Sequence, residues 1–197
     1  RHRVSVDYVL DSEVGPGMTP LLPTAAYGLA LLDGSDGYFG VEAPDEETHG
    51  PGCMVGESAS DHAYEDGLGR SFTGHWQVPP GRQENRTLVT HLMQVPYETT
   101  LHYIAVHLHP FAESLTLHDR TTGEVLFTSR ATNFDDKIGL REVEAFSSIE
   151  GVTLKPDHDY ELVSIYDNTS GAMQDSMAVM YLYLRDQTME SRLAEDA

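Results

Sequence analysis

The stretch HYIAVHLHPFAESLTLHD, residues 102–119, decides the fold class. Apolar and polar residues alternate through most of it, and Pro110 interrupts the alternation. Because successive side chains of a β-strand point to opposite faces, the pattern predicts two short strands that meet near the proline. We expect the face that carries Ile104, Val106 and Leu108 to point to the core.

The same alternation recurs through the second half of the chain, between clusters of Gly, Pro, Asn and Asp. The predicted strands are Ser71 to Val78, Thr87 to Val95, Leu101 to His109, Ser114 to His118, Glu124 to Thr128, Arg141 to Phe146, Tyr160 to Tyr166 and Met177 to Leu184. Many short antiparallel strands are typical of a β-sandwich or jelly roll. We therefore expect an all-β domain over residues 71–186, followed by a polar C-terminal tail over 187–197.

Residues 1–70 differ from this domain because they are rich in glycine and proline. Alternating apolar residues from Val4 to Leu10 predict a strand near the N-terminus. This strand either completes the molecule's own sheet or joins the sheet edge of a neighbouring subunit, so residues 1–12 are a candidate self-association segment. Residues 42–70 are expected to form a long irregular excursion. The whole extension is predicted to pack on or beyond the sandwich.

The motif LLDGSDGYFG, residues 31–40, contains two aspartates that could bind calcium. Aspartates flanked by glycine are more typical of ordinary turns. We therefore predict a turn at Asp33 and Asp36 and keep calcium as a secondary candidate cofactor.

Composition excludes several classes of partner. With 197 residues and 40% hydrophobic content, the chain has the size of one domain. Its 32 acidic residues against 12 Lys and Arg give a formal charge of −20, so nucleic acid and anionic membrane surfaces would be repelled. A single cysteine, Cys53, excludes an internal disulfide and a thiolate metal cluster. No apolar run has the length of a transmembrane helix.

Two short motifs point to export. The sequons Asn85-Arg86-Thr87 and Asn168-Thr169-Ser170 make Asn85 and Asn168 candidate glycosylation sites. The first residue is arginine rather than methionine, which is typical of a processed chain. Together these features lead us to expect an extracellular or periplasmic protein.

A pair of histidines lies two positions apart in the central predicted strand. His107 and His109 share one face and lie roughly 6.6 Å apart along the strand, so their rings can converge on one ion. His102 has the opposite parity and is predicted to point to the other face. Exposed or hydrogen-bonded histidines give the same pattern, so a third donor is needed. Candidates are His91, His75 and the methionines of GAMQDSMAVMYLYL, residues 171–184, and imidazole with thioether suits Cu(I).

The order of three motifs gives the chain a resemblance to a known family. Pro79-Pro80-Gly81 precedes the strands, His107 and His109 form a His-x-His pair, and Met177 stands just before the last apolar strand. Over residues 72–185 this order resembles the C-terminal catalytic domain of the copper type II, ascorbate-dependent monooxygenases, the family of peptidylglycine α-hydroxylating monooxygenase. The resemblance implies that His107, His109 and Met177 bind one copper ion. His91, a candidate from its place on a neighbouring predicted strand, is kept as a possible fourth ligand.

The chain also departs from that family. The family enzymes combine two domains with separate copper centres, whereas this chain resembles the oxygen-activating domain alone. Ala178 stands where the family has a cysteine. Hydroxylation would therefore need an external redox partner. We expect an exported, single-domain, copper-binding protein and leave enzymatic activity open.

Two alternatives stay open. The stretch HLHPFAE, residues 107–113, is similar to the first cupin motif, in which two histidines and a glutamate, here Glu113, bind a divalent metal. This alternative is a cupin-like metal-binding or glycan-binding jelly roll. The other is a structural subunit of an extracellular assembly or filament, with residues 1–12 making the subunit contacts.

Overall fold

A computed structural model describes residues 3, 5, 7, 9, 10, 13, 18–38, 40 and 64–195. Most of the predicted N-terminal strand, most of the predicted excursion over 42–70, and Cys53 lie outside the described residues. The hypothesis of self-association through residues 1–12 therefore stays a prediction.

The described residues form fourteen strands and two short helices. The strands are β1 Leu21–Tyr27, β2 Ala30–Leu31, β3 Tyr64–Glu65, β4 Ser71–Thr73, β5 Trp76–Val78, β6 Gly81–Leu88, β7 Thr99–Leu108, β8 Ala112–Asp119, β9 Glu124–Asn133, β10 Leu140–Val143, β11 Phe146–Leu154, β12 Tyr160–Asn168, β13 Gln174–Ser176 and β14 Ala178–Arg185. The helices are α1 Thr90–Met93 and α2 Gln187–Glu195. The prediction of an all-β fold is confirmed.

Two antiparallel sheets enclose the core of a β-sandwich. One has the strand order β1-β14-β7-β11 and the other β10-β9-β8-β12-β6, and two smaller sheets, β13-β5 and β2-β4-β3, accompany them. Both large sheets contribute side chains to one buried cluster, which includes Leu101, Ile104, Leu108, Leu115, Leu117, Tyr160, Leu162, Tyr166, Ala178, Met180 and Leu182. Strand β1 pairs with β14 over its whole length, so part of the predicted extension is an edge strand of the sandwich.

Residues 102–119 link the two large sheets. Strand β7 pairs with β14 and β11 in one sheet, whereas β8 pairs with β12 and β9 in the other. Between them the backbone N–H of Ala112 donates to the carbonyl of His109, and Phe111 has a positive φ of 72°. This turn, with Pro110 inside it, ends β7 immediately after His107 and Leu108.

The predicted strand over residues 87–95 is wrong. Strand β6 lies earlier, and residues 90–93 form helix α1 instead. Val89 and Met93 are both buried, and the N–H of Met93 donates to the carbonyl of Val89 at 2.9 Å. Their spacing of four residues suits one helical turn, which ends at Gln94 with a φ of 45°.

The C-terminal segment contains a helix where a polar tail over 187–197 was predicted. Helix α2 is capped by Asp186, whose carboxylate accepts the N–H of Met189 at 3.0 Å. Arg185 and Glu190 form an ion pair beside it at 2.9 Å. In the part of the chain that the structure describes, no helix is long and apolar enough to cross a membrane.

Candidate metal centre

The rings of His107 and His109 lie side by side at the end of β7. His107 is exposed on the outer face of its sheet, whereas His109 follows the strand and is 7% exposed. Their ring centroids are 5.2 Å apart and their planes are inclined by 78°. Two imidazoles that share an ion about 2.0–2.1 Å from each ring nitrogen have centroids roughly 5–6 Å apart. The pair therefore has the spacing of two ligands of one ion.

Met177 lies beside this pair, immediately before β14. In the β7–β14 register Ala178 faces Leu108 and Val179 faces His107. Ala178 belongs to the central core cluster, whereas Met177 and Val179 do not, so alternation places Met177 on the same side of the sheet as His107. Met177 is nevertheless only 3% exposed. The thioether is thus on the histidine side of the sheet and sheltered from water.

A buried tyrosine connects the histidine segment to the methionine segment. The hydroxyl of Tyr166 accepts the backbone N–H of His109 at 3.3 Å and donates to the carbonyl of Met177. Trp76 packs edge-on against its ring, with centroids 6.2 Å apart. Burial raises the pKa of Tyr166 far above its ordinary value, so the hydroxyl keeps its proton. Tyr166 therefore ties the two candidate ligand segments together through the core.

Two further side chains complete the cluster. Nδ1 of His109 lies 2.8 Å from Oδ2 of Asp175, and Nδ1 of His75 lies 3.7 Å from Oδ1 of the same carboxylate. The ring centroids of His75 and His109 are 6.3 Å apart, and His75 is 2% exposed. Asp175 was missed from the sequence. The available signal was its parity with Met177, two residues later, which predicts a common face.

The surroundings favour the neutral form of His107. Loss of water around the ring lowers the pKa of His107, the neighbouring imidazoles of His109 and His75 lower it further, and Asp175 opposes them. Neutral imidazole is the form that binds a metal ion.

The donor set indicates which kind of ion would fit. Across the described ranges, no group of three or more His, Cys, Asp or Glu side chains is arranged to hold a metal ion. A third protein ligand for an ion at His107 and His109 would have to be of another kind, and the sulfur of Met177 is the candidate that strand parity assigns to this face. Two imidazoles with a thioether form a soft donor set, which suits Cu(I) rather than calcium or magnesium.

His91 lies at the opposite end of the sandwich. Its neighbour Thr90 accepts the backbone N–H of Tyr160 at 2.8 Å, whereas the N–H of His109 bonds to Tyr166. These tyrosines are six positions apart on β12, a distance of roughly 20 Å along the strand. His91 instead lines a groove of about 430 Å³. The structure does not bring this candidate ligand to the histidine pair.

Glu113 and His102 also lie apart from the cluster. Glu113 is on β8, in the other large sheet, where it pairs with Arg82 at 2.9 Å, so it does not join the two histidines as a cupin glutamate would. The ring nitrogens of His102 contact Thr100 at 2.7 Å and the carbonyl of Ser148 at 3.0 Å. His102 thus supports the irregular pairing of β7 and β11.

The predicted turn at residues 33–36 is confirmed. The carboxylate of Asp33 accepts the N–H of Ser35 at 2.9 Å, and that of Asp36 accepts the N–H of Leu31 at 2.6 Å. Both side chains are therefore used to close the turn.

Both candidate glycosylation sites are enclosed by the fold. Asn85 and Asn168 are each 2% exposed. The amide nitrogen of Asn85 donates to the carbonyl of Leu29 at 2.9 Å, and that of Asn168 donates to the carbonyls of Val78 and Ala172. A glycan attached to either nitrogen would have no room in this fold, so the sequons are corrected to structural asparagines and do not support export.

The larger grooves of the molecule lie away from the histidine cluster. The groove of about 570 Å³ is lined by Phe111, Glu113 and the β9–β10 connection, and the groove of about 430 Å³ lies beside His91. Neither contains His75, His107, His109 or Asp175.

Comparison with known proteins adds no relative: no protein-family model matches the chain, and neither the curated proteins nor the solved structures give a significant match. The resemblance to the copper monooxygenases accordingly rests on the motifs themselves.

Proposed function

We propose that the chain is a β-sandwich that binds one copper ion, as Cu(I), through His107, His109 and Met177. The observation that carries the proposal is the register of β7 and β14, which assigns Met177 to the face of His107, together with the 5.2 Å between the rings of His107 and His109. About seventy residues separate the methionine from the histidines along the chain.

The surroundings of the three donors support a reduced ion. His107 is held neutral and exposed, Met177 is sheltered, and Tyr166 fixes the backbone of His109 against that of Met177. A thioether stabilises Cu(I) relative to Cu(II), and the exposed edge at His107 gives an ion or a partner access. These features suit copper storage, transfer or one-electron exchange.

Hydroxylation of a substrate is a further step that this proposal does not include. In the family that the chain resembles, a second copper centre supplies an electron, so an external redox partner would have to take its place here. The function proposed is therefore copper binding, and catalysis would depend on that partner.

Titration of the purified chain with Cu(I), in competition with a chromophoric chelator, tests the proposal. Wild type is expected to bind one equivalent. Loss of a residue that only orients a ligand typically lowers metal affinity by 10- to 100-fold, so His107→Ala, His109→Ala and Met177→Ala should each lower it by at least about 100-fold. Circular dichroism would confirm that each variant is folded.

Matched controls are available elsewhere in the chain. His118 lies on β8 and Met173 is 41% exposed, and neither is a proposed ligand. His118→Ala and Met173→Ala should leave Cu(I) affinity unchanged. Absence of binding by wild type, or equal affinity in the ligand variants and these controls, would overturn the proposal.

A further inference from the structure

A single carboxylate lies between two of the cluster's imidazoles. Asp175 is 2.8 Å from Nδ1 of His109 and 3.7 Å from Nδ1 of His75. Its side chain is 12% exposed, and that of His109 is 9% exposed. Little water is therefore available to screen the attraction between the carboxylate and these rings.

The small β13–β5 sheet delivers this carboxylate to the site. Ser176 pairs with Trp76 and Asp175 pairs with Gln77, so β13 lies against the segment that follows His75. Ser176 is fully buried, and alternation turns Asp175 to the opposite face. Met177 has the same parity as Asp175. One short segment thus supplies both the proposed sulfur ligand and the carboxylate.

We infer that Asp175 is a positioning residue that holds the proton of His109 on Nδ1 and so leaves Nε2 as the nitrogen that binds copper. This inference rests on the proposed function. A neutral imidazole carries one proton, and a carboxylate 2.8 Å from Nδ1 favours the form in which that nitrogen is protonated. Histidine ligands of metal ions commonly present their second nitrogen to a carboxylate in this way, which fixes the ring and increases its basicity.

The distances also show which of the two imidazoles Asp175 affects more. The carboxylate is closer to His109 than to His75, and His109 is also the ring that lies 5.2 Å from His107. Asp175 therefore acts mainly on the ligand ring, while His75 occupies the other side of the same carboxylate.

The test measures the position of the proton directly in the metal-free protein. Long-range ¹H–¹⁵N correlation spectra at neutral pH distinguish an Nδ1-protonated from an Nε2-protonated imidazole. In wild type His109 is expected to be Nδ1-protonated. Asp175→Asn removes the negative charge at nearly constant shape, and its spectrum should shift towards the Nε2-protonated form.

Copper affinity provides the second measurement. Asp175→Asn is expected to lower Cu(I) affinity by about 10- to 100-fold, and Asp175→Glu, which keeps the charge, should recover part of the loss. Asp167→Asn makes the same charge change on β12, beside the 570 Å³ groove, and should alter neither the His109 spectrum nor the affinity.

The outcomes separate this inference from the proposed function. If His109 is Nε2-protonated in wild type, or its spectrum is the same in Asp175→Asn, Asp175 does not position the ring, whatever the copper affinity. If the spectra behave as expected but wild type binds no Cu(I), the proposed function fails and the carboxylate–imidazole pairing stands.

Discussion

The two ends of β12 each carry an aspartate–histidine pair beside a buried tyrosine. Near Tyr160, Nδ1 of His158 lies 2.6 Å from Oδ2 of Asp119. Near Tyr166, Nδ1 of His109 lies 2.8 Å from Oδ2 of Asp175. Both pairs are largely shielded from solvent, so their different surroundings show what each one does.

The pair at Asp119 is bound into the backbone. The second oxygen of Asp119 accepts the N–H groups of Thr121 and Thr122 at 2.9 and 3.0 Å and so closes the β8–β9 turn. The Tyr160 hydroxyl is likewise used by the backbone, since it accepts the N–H of Lys155 at 2.7 Å. This end of the strand is a structural junction.

The carboxylate of Asp175, by contrast, contacts imidazole rings. It contacts His109 and His75, and a third imidazole, that of His107, lies 5.2 Å from His109. The same two residue types therefore lie among backbone N–H groups at one end of β12 and among imidazole rings at the other, where the proposed copper site would need them.

The largest expected effect is a loss of stability, and it distinguishes the Asp119 end of β12 from the Asp175 end. Asp119→Ala leaves two turn N–H groups and His158 without their acceptor, so the free energy of unfolding should fall by about 3 kcal/mol. Chemical denaturation measures this loss. Cu(I) affinity should stay within about twofold of wild type, because the two ends share no ligand. A large loss of copper binding in a folded Asp119→Ala protein would contradict the separation.

Exchange of each tyrosine for phenylalanine sharpens the comparison. Tyr166→Phe removes the hydroxyl that joins His109 to Met177 and should cost about 1–2 kcal/mol of stability. It should also weaken Cu(I) binding several-fold, because the two ligand segments lose their link. Tyr160→Phe is the matched control, with a similar stability loss and unchanged copper affinity. Equal copper affinity in both variants would show that the link is irrelevant to the site.

A smaller expected effect is on the change of stability with pH. Burial alone would raise the pKa of Asp119, but the hydrogen bonds from His158, Thr122 and Thr121 outweigh it and hold the pKa below its ordinary value. The stabilisation is therefore complete above the unfolded-state pKa of about 3.9 and is lost as pH falls through the lower folded-state value. Unfolding free energies between neutral and acidic pH should fall less steeply in Asp119→Asn than in wild type. Parallel curves would contradict this role.

The smallest expected effect concerns His91. Because this exposed residue lies at the Asp119 end of the molecule, His91→Gln should change stability by less than about 0.5 kcal/mol and leave Cu(I) affinity unchanged. A marked loss of copper binding would place this histidine at the site after all.

Strands with regular alternation could be predicted closely from the sequence, whereas the others were predicted only in part or missed. Strands β7, β8, β12 and β14 place apolar side chains inward, so their pattern is visible. Strand β6 instead turns Asn85 and Thr87 inward, where both bond to the backbone of Leu29, and no apolar pattern marks it. Strand β11 was also missed. Its pairing with β7 shifts register between Ser147 and Val152, so its side chains do not alternate regularly between the two faces.

The residues of the candidate site likewise divide into those that could be predicted from the sequence and those that could not. The His-x-His pair and Met177 could be named because a motif and strand parity mark them. Asp175 could not, because it reaches His109 through pairing between β13 and β5, which are about one hundred residues apart in the chain. Parity with Met177 predicts the face on which Asp175 lies, but pairing at that separation leaves no local signal that the carboxylate reaches His109. The same reason explains why His91, close in sequence to the central strand, was a misleading candidate.

The enclosed amides of Asn85 and Asn168 determine how the protein can be produced. A eukaryotic secretory pathway attaches sugars to Asn-x-Ser/Thr while the chain is still emerging, before either side chain has found its carbonyl partners. A sugar added then would block closure of the sandwich around that residue. Expression in a bacterial cytoplasm avoids this trap, and a yeast or mammalian secretion host should yield mostly retained, misfolded chains.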